Sequence, residues 1–211
     1  MTAALTRFAP LLGITLLFAL GIGWRSWLQR RRYGQSGVIL FQQPGAWANL
    51  RDALLIFMPA GLFLLTLGQA ILPGSLAVGR FDGLEGAAAA LAGVALLAAS
   101  LCFMVAAQLQ MGMSWRIGIE EGARPGLVTW GLYRYCRNPI FAAMLMALLG
   151  LFLLMPSLLT LFILGGTYAG IRRQVADEES YLRRTYTSQY RTYAAGVGRF
   201  TPWLGRLSQP G

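Results

Sequence analysis

Four stretches of this chain carry no charged side chain: residues 8–24, 53–79, 86–115 and 138–171. A bilayer core of roughly 30 Å, crossed at about 1.5 Å per residue, takes about 20 apolar residues. The second and third stretches each predict one span, near 53–72 and 86–109. The first, Phe8–Trp24, is short, and a bilayer adjusts to that mismatch. It ends in Gly-Trp-Arg rather than a small-x-small cleavage site, so a retained anchor is expected in place of a signal peptide. The fourth stretch would be about 51 Å long as one helix, too long for a single crossing. Met155-Pro156-Ser157 lies at its centre, and proline restricts the residue before it and suits the first turn of a new helix. Two short helices, near 139–155 and 157–172 and joined by a tight turn, are predicted. The expected fold is all-α: one polytopic membrane domain over 1–211 with five transmembrane helices. The last two form a short C-terminal helical hairpin, followed by cytosolic C-terminal helices.

Composition narrows the chemistry. Charged residues are only 12% of the chain, against roughly 25% in a soluble domain. All eighteen basic residues are Arg, and His is absent. Without His, the commonest zinc and iron sites and the usual general base near neutral pH are missing, so no metal is expected. Cys102 and Cys136 form no CxxC pair, which excludes a disulfide framework or zinc knuckle. Cys102 reads as a buried packing residue. Cys136, between Arg134 and Arg137, reads as a small turn residue rather than a reactive thiol.

The Arg distribution sets the topology. Sixteen of the eighteen fall in loop 25–52, loop 110–137 (Arg124 included) and the tail from 172; only Arg7 and Arg80 fall elsewhere. Five spans put the sixteen on one face, with the N-terminus outside and the C-terminus in the cytosol. Orientation and anionic lipid contact account for these Arg residues without nucleic acid. Residues 33–50 mix turn residues with a short apolar run and read as a loop lying in the interface.

The hairpin brings two segments to one surface. Gly131-Leu-Tyr-Arg-Tyr-Cys-Arg-Asn-Pro139 enters it, and Arg172-Arg-Gln-Val-Ala-Asp-Glu-Glu179 leaves it. Arg134, Arg137 and the acids Asp177, Glu178 and Glu179 are expected within side-chain reach of one another. Two readings stand. The groups form ion pairs that fasten the hairpin, or they line a pocket for a small zwitterion. In the pocket, Arg forks a carboxylate, Glu accepts from an ammonium or ribose hydroxyls, and Tyr133 and Tyr135 offer aromatic faces to a sulfonium or base. Leu182, Tyr186, Tyr190 and Tyr193 form one stripe at helical spacing, which packs a cytosolic helix and can also close a pocket.

These residues carry a resemblance. Gly131-Leu-Tyr-Arg-Tyr-Cys-Arg-Asn-Pro139, an apolar hairpin, Asp177-Glu-Glu179, Leu182, Tyr190, Tyr193 and Val197-Gly-Arg-Phe-Thr-Pro202 are similar to the C-terminal half of the isoprenylcysteine carboxyl methyltransferase family. That family is related to the membrane phospholipid methyltransferases. Gly112-Met-Ser-Trp-Arg-Ile-Gly118 resembles the segment preceding this motif in bacterial-type members. The resemblance covers about 112–203 and implies a cofactor-binding part over 110–211 behind a three-helix part over 1–109. It implies S-adenosylmethionine as cofactor, in a cytosol-facing pocket formed by Tyr133, Arg134, Arg137, Asn138, Pro139, Phe141, Glu178, Glu179, Tyr190, Tyr193 and Arg199. It also implies a bacterial inner membrane and a hydrophobic or lipid-like methyl acceptor carrying a carboxylate, thiol or amine. Asn138 stands where many members have His, Phe141 where Tyr is common, and Ala143 where Gly is common. An activated sulfonium methyl needs alignment and a desolvated path, not a metal or a His base. An NADPH-dependent membrane reductase of sterol-reductase type, with Arg172, Arg173, Arg183 and Arg184 near a 2′-phosphate, is the rival reading. A non-enzymatic membrane protein is the third, and polar residues at midspan, which would favour a transporter, are nearly absent.

Overall fold

The computed structural model describes residues 2–42, 45–74, 78–118 and 126–207. Arg124 lies outside them. The elements are α1 (Thr2–Phe18), a π-helical segment (Ala19–Trp24), α2 (Arg25–Tyr33), α3 (Ala46–Ile71), α4 (Ala87–Met111), α5 (Pro139–Leu154) and α6 (Leu158–Gly196). The extended structure among the described residues consists of isolated bridges, such as Val38 with Ile117.

Three stretches are long and apolar enough to cross a membrane: Ala3–Tyr33, Ala46–Ile71 and Ala87–Ser114. The protein is thus an all-helical, multi-pass membrane protein. Side chains of α3 such as Phe57 and Leu64 stand 70 and 63% exposed on the outside of the bundle, the kind of apolar face a spanning helix offers to lipid. The other two expected spans fall short by length. α5 has 16 residues, and the charge-free part of α6 is 158–171, so they measure about 24 and 21 Å. The five-helix count is therefore not reached on length alone.

The interior is built from Ile14, Leu17, Leu62, Leu65, Leu97, Met104, Ala147 and Leu151. The tightest contact joins α4 to α5, where a Cβ on Gly93 would stand 2.8 Å from the Gly150 carbonyl oxygen and one on Gly150 would stand 2.8 Å from that of Gly93. Small residues at both positions let the backbones meet, the usual device for helices packing in lipid. Pro139 opens α5 at its first turn. Ser157 and Thr160 form a reciprocal capping box that starts α6. The turn expected at Met155-Pro156-Ser157 is where the structure has it.

Three features differ from the sequence expectation. The first helix continues past Trp24 through α2 to Tyr33, because the two terminal nitrogens of Arg25 find acceptors inside the fold. Its guanidinium donates to Gln29 Oε1 (2.8 Å) and to the Gly112 carbonyl (2.6 Å), and lies over the Trp115 ring. Gly34, at φ 70°, ends α2, and Arg30, Arg31 and Arg32 in the last turn suit the negative end of its dipole. Only the middle of loop 25–52 is therefore non-helical. The separate cytosolic helices expected after 172 are one continuation of α6 to Gly196, broken at Thr187 (φ 36°). Cys102 is exposed on α4, not buried, because it lies on the face of α4 turned away from the core.

Candidate functional site

The sequence entering α5 is a short 3₁₀ turn, Gly131–Arg134, followed by an extended link. Gly131 adopts φ 62° and rests on the Gln110 side chain, where a Cβ would stand 2.4 Å from Oε1. Gln110 Oε1 accepts from the Leu132 N–H at 2.7 Å, which fixes the turn to the end of α4. The link then pairs with the chain beyond α6: the Arg137 N–H donates to the Gly198 carbonyl (2.9 Å) and that of Asn138 to the Arg199 carbonyl (3.2 Å). The Asn138 side-chain amide also donates to the Arg199 carbonyl, at 3.1 Å.

One carboxylate organises this junction. Glu179 is 1% exposed. It accepts from Arg137 Nη2 (2.8 Å) and Nε (3.1 Å) and from Arg199 Nη2 (2.7 Å) and Nε (3.2 Å), with Arg183 3.7 Å away. Arg137 further donates to the carbonyls of Ala194 (2.9 Å), Val197 (2.5 Å) and Gly205 (3.0 Å). These contacts commit the whole guanidinium, which has five N–H donors. Arg137 is thus a fixed charge tying α5, α6 and the 197–205 turn together, and its fork is directed at the protein's own acceptors. The bond to Glu179 also holds Arg199 more firmly in its charged form, pushing its pKa above the ordinary arginine value.

Beside this cluster lies a cavity of about 170 Å³. Of the residues singled out in the sequence, Tyr133, Arg137, Asn138, Pro139, Phe141, Glu178, Tyr190 and Tyr193 line it. Glu179 and Arg199 stand behind it as the ion cluster. Arg134 is exposed, with its guanidinium 5.8 Å from the Tyr135 ring, and belongs to neither group. The stripe Leu182, Tyr186, Tyr190 and Tyr193 lines the cavity along its full length. The break at Thr187 lies within that stripe, and Tyr186 accepts from the Gly126 N–H at 3.0 Å, which closes the cavity toward the preceding loop.

The lining includes residues that sequence reasoning did not select: Met111, Ser114, Arg116, Leu127, Val128 and Tyr181. The Gly112–Gly118 segment carries part of the family resemblance, but its place in the wall depends on contacts with Arg25 and Gln29 of α2. Tyr181 lies off the stripe, and nothing in its spacing marks it.

Two features of the lining are chemically unusual. The hydroxyls of Tyr133 and Tyr190 are buried and have no hydrogen-bond partner. Buried polar groups are nearly always paired, so orphan hydroxyls at a cavity point to a missing partner. Burial pushes both phenols above their ordinary pKa, so both are neutral. Tyr193 differs, because its hydroxyl donates to the Tyr133 carbonyl at 2.5 Å. The second feature is Glu178. Burial pushes its carboxyl up to about 7, against the hydrogen bond from Gln174 and the charge of Arg51. Gln174 Nε2 donates to Glu178 Oε1 at 2.7 Å. Cys136 is buried and its thiol is pushed up to about 11 by desolvation, so it is a protonated packing residue of the turn. Among the described residues no group of three Cys, Asp or Glu could hold a metal ion.

A fold of apolar helices with a tyrosine-lined cavity at a hairpin's open end defines an integral membrane protein with a candidate small-molecule site. The phospholipid methyltransferase family model matches residues 88–189, from α4 to one residue before Tyr190. Over this segment, a little under half of the chain, the protein is similar to that family, and the likeness points to a membrane methyltransferase. No curated protein and no solved structure gives a significant match.

Proposed function

We propose that the protein transfers a methyl group from S-adenosylmethionine to a hydrophobic or lipid-like acceptor that reaches the site through the bilayer and carries a carboxylate, thiol or amine. The observation that carries this reading is the cavity wall. It combines two buried hydroxyls without partners, on Tyr133 and Tyr190, with the half-buried carboxyl of Glu178. These groups suit a ligand rich in hydroxyls and amines and bearing a cation. The hydroxyls donate to or accept from ribose, Glu178 accepts from an ammonium or ribose hydroxyl, and tyrosine faces attract a sulfonium.

The cofactor would supply a methyl already activated on a positive sulfur. The chain's own work is then to bind, align and exclude water. Asn138 and Pro139 set the start of α5, Phe141 adds an apolar surface, and the Arg137–Glu179–Arg199 cluster fixes the frame. Arg134, exposed beside Tyr135, contacts the interface rather than the ligand. We read α5 and the first part of α6 as two short crossings that complete five, with the N-terminus outside and the C-terminus in the cytosol of a bacterium's inner membrane. The sixteen Arg residues of 25–52, 110–137 and the tail then share one face.

Isothermal titration of the detergent-purified chain with S-adenosylhomocysteine, beside Glu178→Gln and beside NADPH, tests the reading. Binding by the parent chain, weakened about tenfold or more in Glu178→Gln, is expected from losing a hydrogen bond to a charged group. Heat with NADPH and none with S-adenosylhomocysteine would overturn it in favour of a reductase.

A further inference from the structure

At the opposite end of the bundle lies a second cavity, of about 420 Å³. The first turns of α1, the end of α3, the 78–86 loop and the α5–α6 turn surround it. Arg7 and Arg80, the two arginines that the topology leaves on this face, both line it. Cations are disfavoured on that side of a membrane, so two converging on one cavity call for a reason.

Each guanidinium is held by the protein but keeps N–H donors without a hydrogen-bond partner among the described residues. Arg7 Nε donates to the Ala70 carbonyl at 2.8 Å, satisfying one of the carbonyls left open at the end of α3. The guanidinium also lies over the Phe8 ring, 5.0 Å from its centroid, while Nη1 and Nη2 make no hydrogen bond among the described residues. Arg80 is held by Glu85 through Nε (2.9 Å) and Nη2 (2.5 and 2.7 Å), with the exposed Asp82 carboxylate 4.0 Å from Nε. Its Nη1, beside Gly74, is likewise unpaired among the described residues. The other polar side chains of the lining are engaged within the protein. Ser157 is in the α6 capping box, Glu85 is on Arg80, and Gln69 Oε1 accepts from the Gly74 N–H at 3.1 Å. The 78–86 loop is itself fixed to the turn, with the Phe81 N–H donating to the Pro156 carbonyl at 3.0 Å and the Leu158 N–H to the Gly79 carbonyl at 3.0 Å. What remains open is a set of fixed guanidinium donors beside the apolar wall of Pro73, Leu153 and Leu154.

From this we infer that the second cavity binds the phosphodiester of a phospholipid in the leaflet opposite the methyltransferase site. Guanidinium donors match phosphate oxygens in geometry and charge. The cavity opens at the helix ends, where a bilayer places its phosphates, and the apolar wall suits the attached chains. The site is separate from the methyl-transfer site and does not depend on its assignment.

The test is native mass spectrometry of the detergent-purified full chain with dioleoyl phosphatidylglycerol, with dioleoylglycerol as the phosphate-free probe and inorganic phosphate as competitor. Retention of the phospholipid, but not of dioleoylglycerol, is expected. It should fall several-fold in Arg7→Gln and in Arg80→Gln, and to the dioleoylglycerol level in the double variant. Arg80→Gln leaves the Arg7 cap on α3 intact, so it serves if Arg7→Gln misfolds, and melting temperatures report folding in each case. Unchanged retention in both single variants, or equal retention of dioleoylglycerol, would overturn the inference. Displacement of the lipid by inorganic phosphate would assign the donors to free phosphate and overturn the lipid assignment.

Discussion

Removing the Tyr190 hydroxyl separates a ligand-binding role from a structural one by sign. The side chain is 1% exposed and its hydroxyl has no partner. A buried polar group left unpaired costs about 1–3 kcal/mol. Tyr190→Phe removes that group and retains the ring, including its edge-to-face contact with Tyr193 at 6.2 Å between centroids. The ligand-free protein should therefore gain stability of this order, and each kcal/mol raises the melting temperature of a chain of this size by about 2–4 °C. If the hydroxyl pairs with bound cofactor, the variant also loses one hydrogen bond, about 0.5–1.5 kcal/mol, or roughly two- to thirteen-fold in affinity. Thermal unfolding with and without S-adenosylhomocysteine reads both effects in one titration. The ligand-free transition should rise and the ligand-induced shift should shrink. A ligand-free transition that falls by several degrees, with an unchanged ligand shift, would refute the reasoning, because the hydroxyl would then be paired inside the protein.

Glu179→Ala leaves Arg137 buried without its carboxylate and should cost about 3–5 kcal/mol, visible as a lower melting temperature and faster proteolysis of the 197–207 tail. Glu178 behaves differently because burial raises its pKa from 4.5 to about 7. Between those values the folded state binds more protons than the unfolded one, so its contribution to stability is fullest below 4.5 and is lost as pH rises through 7. Melting temperatures should fall across that window in the parent chain and fall less in Glu178→Gln. Cofactor affinity should move the other way, rising with pH as the carboxylate forms, and a flat affinity profile would remove Glu178 from the site. At Thr187, φ is 36° on a β-branched residue, a conformation costing of order 1–3 kcal/mol. Thr187→Gly relieves it against a helix-propensity loss of about 1 kcal/mol, so denaturant unfolding should show equal or greater stability, and a clear loss would mean that the hydroxyl or methyl is needed at the break.

Much of this arrangement was legible because it follows from local chemistry. Charge-free runs mark the bilayer whatever packs beside them, and Pro156 marks a turn whatever the turn joins. The topology of a hairpin then requires its two open ends to meet, which is why Arg137 and Glu179, 42 positions apart, could be paired on paper. What was not legible depends on partners far along the chain. Arg25 reads as the end of a span, yet it continues the helix because the Gly112 carbonyl, 87 positions away, accepts a hydrogen bond from its guanidinium. Arg134 and Arg199 look equally able to reach the acids, and only the turn that returns 197–205 to α5 selects Arg199.

The finest distinction lies between two adjacent carboxylates. Glu178 and Glu179 are alike in sequence and would be assigned one role as an acidic pair. On a helix, neighbouring side chains point about 100° apart, so the two cannot face the same surroundings. Glu179 turns toward three guanidinium groups, is fully buried, and closes the frame. Glu178 turns toward the tyrosine cavity, where Gln174 provides one hydrogen bond and burial raises its pKa to about 7. One residue of rotation thus converts a single acidic motif into a structural anchor and a titrating cavity group. This is why Glu179→Ala should be read out in stability and Glu178→Gln in ligand affinity. A pair of variants that lowered stability equally and left binding alike would show that the division of roles is wrong.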